Sequence, residues 1–274
     1  MDIKAFKMDG LGNDFVIIDQ RYQNYNLTKD QIIKICDRKF IGCDQLIFIK
    51  KSDEKDAGLE FYNSDGSVSG ACGNGTRCVA DLLSKENNDK EIILWTSSGA
   101  LKSQILGDNL VETEIGVPKI NWNEIPLNQN LDTKNLKIKI VNKNNIEHIG
   151  GTSVNVGNPH VVFFVDNIED YDLKKIGPEI ENHKYFPEKC NVTLAQVINK
   201  KLIKVKVWER GAGLTKACGT AACATAVAAN INELTDKTTD IEFALGKLSI
   251  SIDENNSIHM KGPVSDIKNI EINI

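Results

Sequence analysis

Two cysteines stand in matched surroundings. Cys218 lies in VKVWERGAGLTKACGTA, Val205 to Ala221, and Cys72 lies 146 positions earlier in LEFYNSDGSVSGACGNG, Leu59 to Gly75. The overlay needs no gap. It pairs Phe61 with Val207, Tyr62 with Trp208, Asn63 with Glu209, Gly66 with Ala212, and Ala71-Cys72-Gly73 with Ala217-Cys218-Gly219. In each copy an alternating apolar run ends in a polar residue, a glycine-containing loop follows, and Cys-Gly opens an apolar helical pattern. A thiol at a helix N-terminus sits at the positive end of the helix dipole, which is expected to lower its pKa from about 8.5 toward neutrality. The free amides that follow, on Gly73 and Asn74 and on Gly219 and Thr220, are placed to hold a carboxylate.

Two such thiols suit inversion at a carbon that bears a proton. If the copies face one another across a pseudo-twofold, one thiolate removes the proton while the opposing thiol donates one to the other face. The amide cradle would stabilise the carbanionic charge that spreads into the carboxylate. The copies differ in their polar residues, Asn63 against Glu209 and Ser64 against Arg210. Arg210 can fork onto a carboxylate and Glu209 can receive an ammonium, so the substrate expected is an amino acid with a further charged end. No signature of pyridoxal phosphate is present, and no cofactor is expected. The blander alternative makes the glycines turn-formers, the cysteines buried hydrophobes, and Glu209 and Arg210 a surface pair.

The elements that must position these residues are duplicated too. GNDFVIID at Gly12 to Asp19 matches GNPHVVFF at Gly157 to Phe164, pairing Asn13 with Asn158 and Phe15 with His160. A strand over Gln45 to Ile49 meets Asn191 to Ala195, so that Gln45 pairs with Asn191 at the strand entrances. Thr28-x-x-Gln31 reads as a capping box for a helix before Ile32, with a less regular counterpart near Leu173 to His183 that carries Pro178. The runs EIILWTS, ALKSQIL and LVETEIG predict an antiparallel meander. The segment TAACATAVAANI is apolar all round, so its helix must be buried on every side, with sheet wrapped about it. KLSISIDENNSIHMKG predicts a hairpin turning at Asn255-Asn256, and the tail after Pro263 is expected to return to the first half. Lys119 to Thr133 has little periodicity and is the candidate linker. The expected domains are therefore 1–118 with 264–274, carrying Cys72, and 119–263, carrying Cys218.

The 274 residues, 41% hydrophobic and 26% charged, are those of an ordinary globular protein; the net charge of −5 suggests solubility and says little about partners, and nothing in the sequence reads as a nucleic-acid binder. No run approaches the roughly 18 apolar residues of a membrane span, and the N-terminus has no export signal, so a cytoplasmic protein with no membrane partner is expected. Seven cysteines, an odd number and without a CxxC pair, argue against a disulfide scaffold and against a zinc site; no metal is expected. Cys36, Cys43, Cys78, Cys190 and Cys223 are expected as small buried hydrophobes.

KMDGLGNDF, FYNSDGSVSGACGNGTRC, GNPHVVF and WERGAGLTKACGTAACA together resemble diaminopimelate epimerase, a cofactor-independent family that interconverts LL- and meso-diaminopimelate for lysine and peptidoglycan synthesis. The resemblance runs nearly end to end. It implies an α/β (α+β) fold of two pseudo-symmetric halves, each a mostly antiparallel sheet curled barrel-like around a central helix, with the active site between them. It implies Cys72 and Cys218 as the acid/base pair. Substrate contacts are implied from Asn13, Gln45, Asn63, Gly73, Asn74, Asn158, Asn191, Glu209, Arg210, Gly219 and Thr220, with His160 and Glu209 tuning the thiols. A small-molecule substrate, diaminopimelate, is the partner implied, and a homodimer is compatible with the sequence. Ala221 stands where the family commonly has Gly, Leu214 where Glu is frequent, and the tail lacks the usual Phe-x-Gly ending. Two rivals fit the paired thiols: a proline or hydroxyproline racemase on the same fold, expected to have a smaller and more apolar pocket, and a non-catalytic thiol protein that binds metal or senses oxidants.

Overall fold

A computed structural model describes every residue except Met1, Ala71 and Ser98. The chain divides into two compact units, Met1–Glu114 with Lys261–Ile274, and Ile115–Met260.

In the first unit β1 (Asp2–Gly10) turns through Leu11 and Gly12, both at positive φ, into the antiparallel β2 (Asn13–Asp19). Helix α1 (Lys29–Cys36) follows. Its capping box forms as the sequence predicts, with the Gln31 amide N–H donating to Thr28 Oγ1 at 3.3 Å and the Thr28 N–H donating to Gln31 Oε1 at 2.9 Å. Strand β3 (Gln45–Lys50) lies parallel to β2, β4 (Ala57–Asn63) antiparallel to β3, and the short β5 (Val68–Ser69) folds back on β4. After α2 (Gly73–Asn87), β6 (Glu91–Thr96) pairs parallel with β4 and continues into β7 (Gly99–Gly107) and β8 (Leu110–Gly116) as an antiparallel meander.

The second unit repeats that sequence of pairings. A small separate sheet of β9 (Ile138–Val141) and β10 (Glu147–Gly150) comes first. Then β11 (Thr152–Asn155) pairs antiparallel with β12 (Pro159–Phe164), helix α3 (Leu173–Glu181) intervenes, and β13 (Asn191–Asn199) lies parallel to β12. Next, β14 (Leu202–Glu209) runs antiparallel to β13 and β15 (Gly213–Thr215) folds back on it. After α4 (Gly219–Ile231), β16 (Thr238–Phe243) is parallel to β14 and antiparallel to β17 (Gly246–Ile252). A turn over Asp253–Ser257, with Asn256 at positive φ, leads to β18 (Ile258–Pro263). The last strand, β19 (Lys268–Asn273), pairs antiparallel with β1. The sheets are mostly antiparallel, and their parallel pairings fall at equivalent places in the two units.

Each unit wraps its sheet about one helix. Helix α2 lies against β1, β2, β6 and β7, and α4 lies against β11, β12, β13, β16 and β17. The residues of α4 from Ala221 to Ala229 are all buried, as an apolar circumference requires. Its small side chains let strands approach from several sides. Segment 119–133 is irregular but does not hang as a tether: Ile125 and Leu127 are buried in one core with Ile138, Phe163 and Ile176. Trp122 and Leu131 pack against the same core, and the irregular spacing of these four apolar residues sets no period. No described helix is long and apolar enough to cross a membrane.

Candidate functional site

Cys72 and Cys218 are the N-cap residues of α2 and α4, with nearly the same backbone, φ/ψ −141/111 and −143/116. An N-cap residue usually spends its side chain on the first-turn amides. Neither thiol does so, which leaves the amide ends of both helices to another acceptor.

Around Cys72 a polar chain runs through the first unit. The thiol lies 3.6 Å from Asn13 Oδ1 at the entrance of β2, and the same oxygen accepts from Asn74 Nδ2 at 3.3 Å. Asn74 Oδ1 in turn accepts from Arg77 Nη2 at 2.8 Å, and both residues are buried. The other end of Asn13 is fixed by Asp44, whose Oδ2 accepts from Nδ2 at 3.1 Å. Gln45 and Asn63 face each other across β3 and β4, with Gln45 Nε2 donating to Asn63 Oδ1 at 2.9 Å. Gln45 Oε1 is buried and has no hydrogen-bond partner among the described residues, so an acceptor is available there. The close approach of α2 to the sheet depends on Gly75: a Cβ there would stand 2.8 Å from Ile47 and 2.9 Å from Phe61.

The second unit builds its thiol site differently. Cys218 Sγ is 3.4 Å from Thr220 Oγ1 in the first turn of α4. Burial, and the carboxylate of Glu209 beside it, push the Cys218 thiol well above its ordinary value of 9.0. This corrects the expectation that both thiols are lowered by their helix termini. The thiol is sealed inside the protein, and desolvation outweighs the dipole. Asn191 Oδ1 accepts from the Arg210 backbone N–H at 3.0 Å and Asn191 Nδ2 donates to the Pro159 carbonyl at 3.0 Å. His160 Nε2 is 2.8 Å from Asn158 Oδ1 and 3.5 Å from Asn191 Nδ2. Burial, with Arg210 adding to it, lowers the imidazole to about 3, so the ring is neutral at physiological pH. With Nε2 donating to Asn158, the buried Nδ1 is an acceptor without a described partner. Arg210 is exposed, one Nη1–H donating to the Glu188 carbonyl at 2.8 Å.

Every expected site residue thus sits at a helix start, at one end of a strand or in the loop beside it. In the first unit Asn13, Cys72 and Asn74 form one network and Gln45 with Asn63 another. In the second, Asn158, His160, Asn191 and Arg210 form one and Glu209, Cys218 and Thr220 another. Three participants escape sequence reasoning: Asp44, which fixes Asn13; Arg77, which fixes Asn74; and Glu181, at the end of α3. Arg77 alone had a signal, a cation in the buried phase of a helix.

The family model described as diaminopimelate epimerase matches residues 5–121 and 152–267. The chain is 78% identical over 274 residues to the curated diaminopimelate epimerase of Pelagibacter ubique (strain HTCC1062), all of both chains being covered. It is 40% identical over 260 residues to that of Acidiphilium cryptum (strain JF-5), covering 94% of this chain and 92% of the other. Among solved structures, a Bacillus anthracis phenazine biosynthesis protein of the PhzF family shares the fold at 16% identity, with a TM-score of 0.70 and full coverage of both chains.

Proposed function

Since this chain belongs to the diaminopimelate epimerase family and is an isomerase that interconverts LL- and meso-2,6-diaminopimelate, we propose that it works with two thiols and no cofactor, Cys72 and Cys218 acting on opposite faces of one α-carbon. The observation that carries this reading is the repeated N-cap cysteine, in one backbone conformation and with its side chain withheld from the cap. Burial and the Glu209 carboxylate favour the protonated form of Cys218, so in this reading Cys218 donates the proton while Cys72 removes one. Proton transfer then reverses their states, and the opposite direction starts from the other pair.

The α-carboxylate is taken by first-turn amides, Gly73 and Asn74 or Gly219 and Thr220, whose partial positive charge grows more valuable as the carbanion forms. Gln45 Oε1, a buried acceptor without a described partner, suits an ammonium hydrogen. Glu209, beside Cys218, provides a carboxylate for an ammonium of the substrate, and Arg210 a guanidinium for the carboxylate of its other end. His160, neutral and with Nδ1 open, adds a hydrogen-bond acceptor that carries no charge. Seven thiols suit a reducing compartment, and we place the enzyme in the cytoplasm.

The test is Cys72→Ser and Cys218→Ser, each assayed in D2O with LL- and with meso-diaminopimelate and with L-proline. Each variant is expected to lose epimerisation by about 10²–10⁴-fold, the usual worth of a general acid or base, while circular dichroism stays that of the parent. Near-parental turnover in either variant sinks the two-base reading, and turnover of proline alone would transfer the enzyme to the racemase class.

A further inference from the structure

Glu209 ends β14 and Arg210 opens the turn to β15, whose backbone is tied by the Glu209–Gly213 pairing, by the Ala212 N–H donating to the Glu209 carbonyl at 3.1 Å and by the Arg210 N–H donating to Asn191 Oδ1 at 3.0 Å. That backbone must be fixed if two charged side chains are to meet a substrate reproducibly. The last residue of α3 adds a hold from the side. Glu181 Oε2 accepts from the indole Nε1–H of Trp208 at 2.7 Å, and Oε1 accepts from the backbone N–H of Gly211 at 3.1 Å. One carboxylate thus grips the chain immediately before and immediately after Glu209-Arg210. Glu181 is buried, its Oε1 lying 3.9 Å from Lys189 Nζ, so both bonds are charge-assisted and shielded from water.

The rest of α3 is shaped to the same end. One helical turn before Glu181, at Gly177, a Cβ would stand 2.5 Å from the Trp208 ring, so only glycine lets the indole lie on the helix with its N–H aimed at the carboxylate. Among the described residues of the first unit no carboxylate takes this place, and the residue 146 positions before Glu181 is Ile35. There the corresponding loop is tied within itself, Asn63 Nδ2 donating to Ser67 Oγ at 3.0 Å and Ser67 donating to Asp65 Oδ1 from its N–H at 2.9 Å and its Oγ at 2.6 Å. The external clamp stands where Glu209 and Arg210 are.

We propose that Glu181 is a positioning residue for the known reaction, holding Glu209 and Arg210 where they meet the substrate. The inference rests on the reading of those two residues given above. The test is Glu181→Gln, of the same shape, whose single amide oxygen can accept from only one of the two N–H groups. Its Km for LL-diaminopimelate is expected to rise about tenfold, the worth of one hydrogen bond to a charged group, with kcat moving much less. Exchange of the Gly211 amide with D2O should speed up by a similar factor. Added to Arg210→Gln, the change should raise Km by less than the product of the two separate effects, because it acts in part through that residue.

Glu181→Gln/Trp208→Phe should recover part of the loss, since removing the indole N–H leaves the glutamine oxygen free for Gly211. If Glu181→Gln does not fold, Trp208→Phe alone takes its place, with a smaller rise in Km expected. An unchanged Km, or an effect that multiplies fully with Arg210→Gln, overturns the proposal. An Arg210→Gln variant with parental Km overturns the reading of Arg210 instead, and the Gly211 exchange rate still decides whether the clamp exists.

Discussion

Helices α2 and α4 open on the same Cys-Gly step, with N-cap dihedrals agreeing within a few degrees, yet their interiors share almost nothing. Buried positions of α2 carry Asn74, Thr76, Arg77 and Asp81; the places 146 residues on are Thr220, Ala222, Cys223 and Val227. The first unit steers its thiol through polar side chains in series, Arg77 to Asn74 to Asn13. The second buries its thiol beside Thr220 and Glu209 and lets burial and that carboxylate set its proton. What duplication preserved is the backbone that presents a thiol beside free amides; what diverged is the means of controlling it.

The comparison predicts unequal tolerance of substitution. Removing one partner from the buried polar chain, as in Arg77→Ala, is expected to cost about 3–5 kcal/mol, whereas Cys223→Ala at the matching place of α4 costs about 1 kcal/mol. Urea denaturation of the two variants measures the difference, and equal losses would erase the distinction between the helices.

A second asymmetry is titratable. Phe15 and His160 occupy matching places, and only the histidine binds protons. Its folded-state pKa, about 3, lies below the ordinary 6.5, so between those values the unfolded chain holds the extra proton and stability falls as pH falls. The loss is about 1.4 kcal/mol per pH unit from this one group. His160→Phe, which copies the first unit, should flatten the stability–pH curve between about pH 6.5 and pH 4; an unaltered slope there would show that the ring takes up its proton in the folded protein.

The smallest expected effects concern Gly75 and Ala221, which also share a register position. Gly75→Ala drives a methyl into Ile47 and Phe61 and should cost about 1–3 kcal/mol. Ala221→Gly only loosens a helix and should cost about 1 kcal/mol. Thermal melts of both variants test this, and a silent Gly75→Ala would mean that α2 can lift from its sheet.

Much of this was open to sequence reasoning because it is local or periodic. The gapless overlay found both N-cap cysteines and the strand-entrance amides, Thr28-x-x-Gln31 announced α1, and the apolar circumference of TAACATAVAANI required a wrapped helix. What stayed hidden depends on tertiary contact. Nothing near Glu181 in sequence says that it reaches a tryptophan and an amide some thirty residues later. Ile125 and Leu127 stand with Trp122 and Leu131 at irregular spacing in a polar stretch, and only the core they enter gives them meaning. The raised Cys218 thiol follows from burial, which the dipole argument, being local, could not weigh.

The all-buried circumference of α4 also constrains how the protein comes into being. A helix with a polar face can form early and wait in water for its sheet, but α4 has no such face, and isolated helices of its length are marginal in any case. Its natural cover includes β16 and β17, which leave the ribosome after it. For that interval the second unit carries an alanine-rich apolar segment with part of its sheet still unmade. Folding of the unit therefore waits on strands distant in sequence, and the nascent chain is most open to aggregation just after Cys218 and its helix have been made.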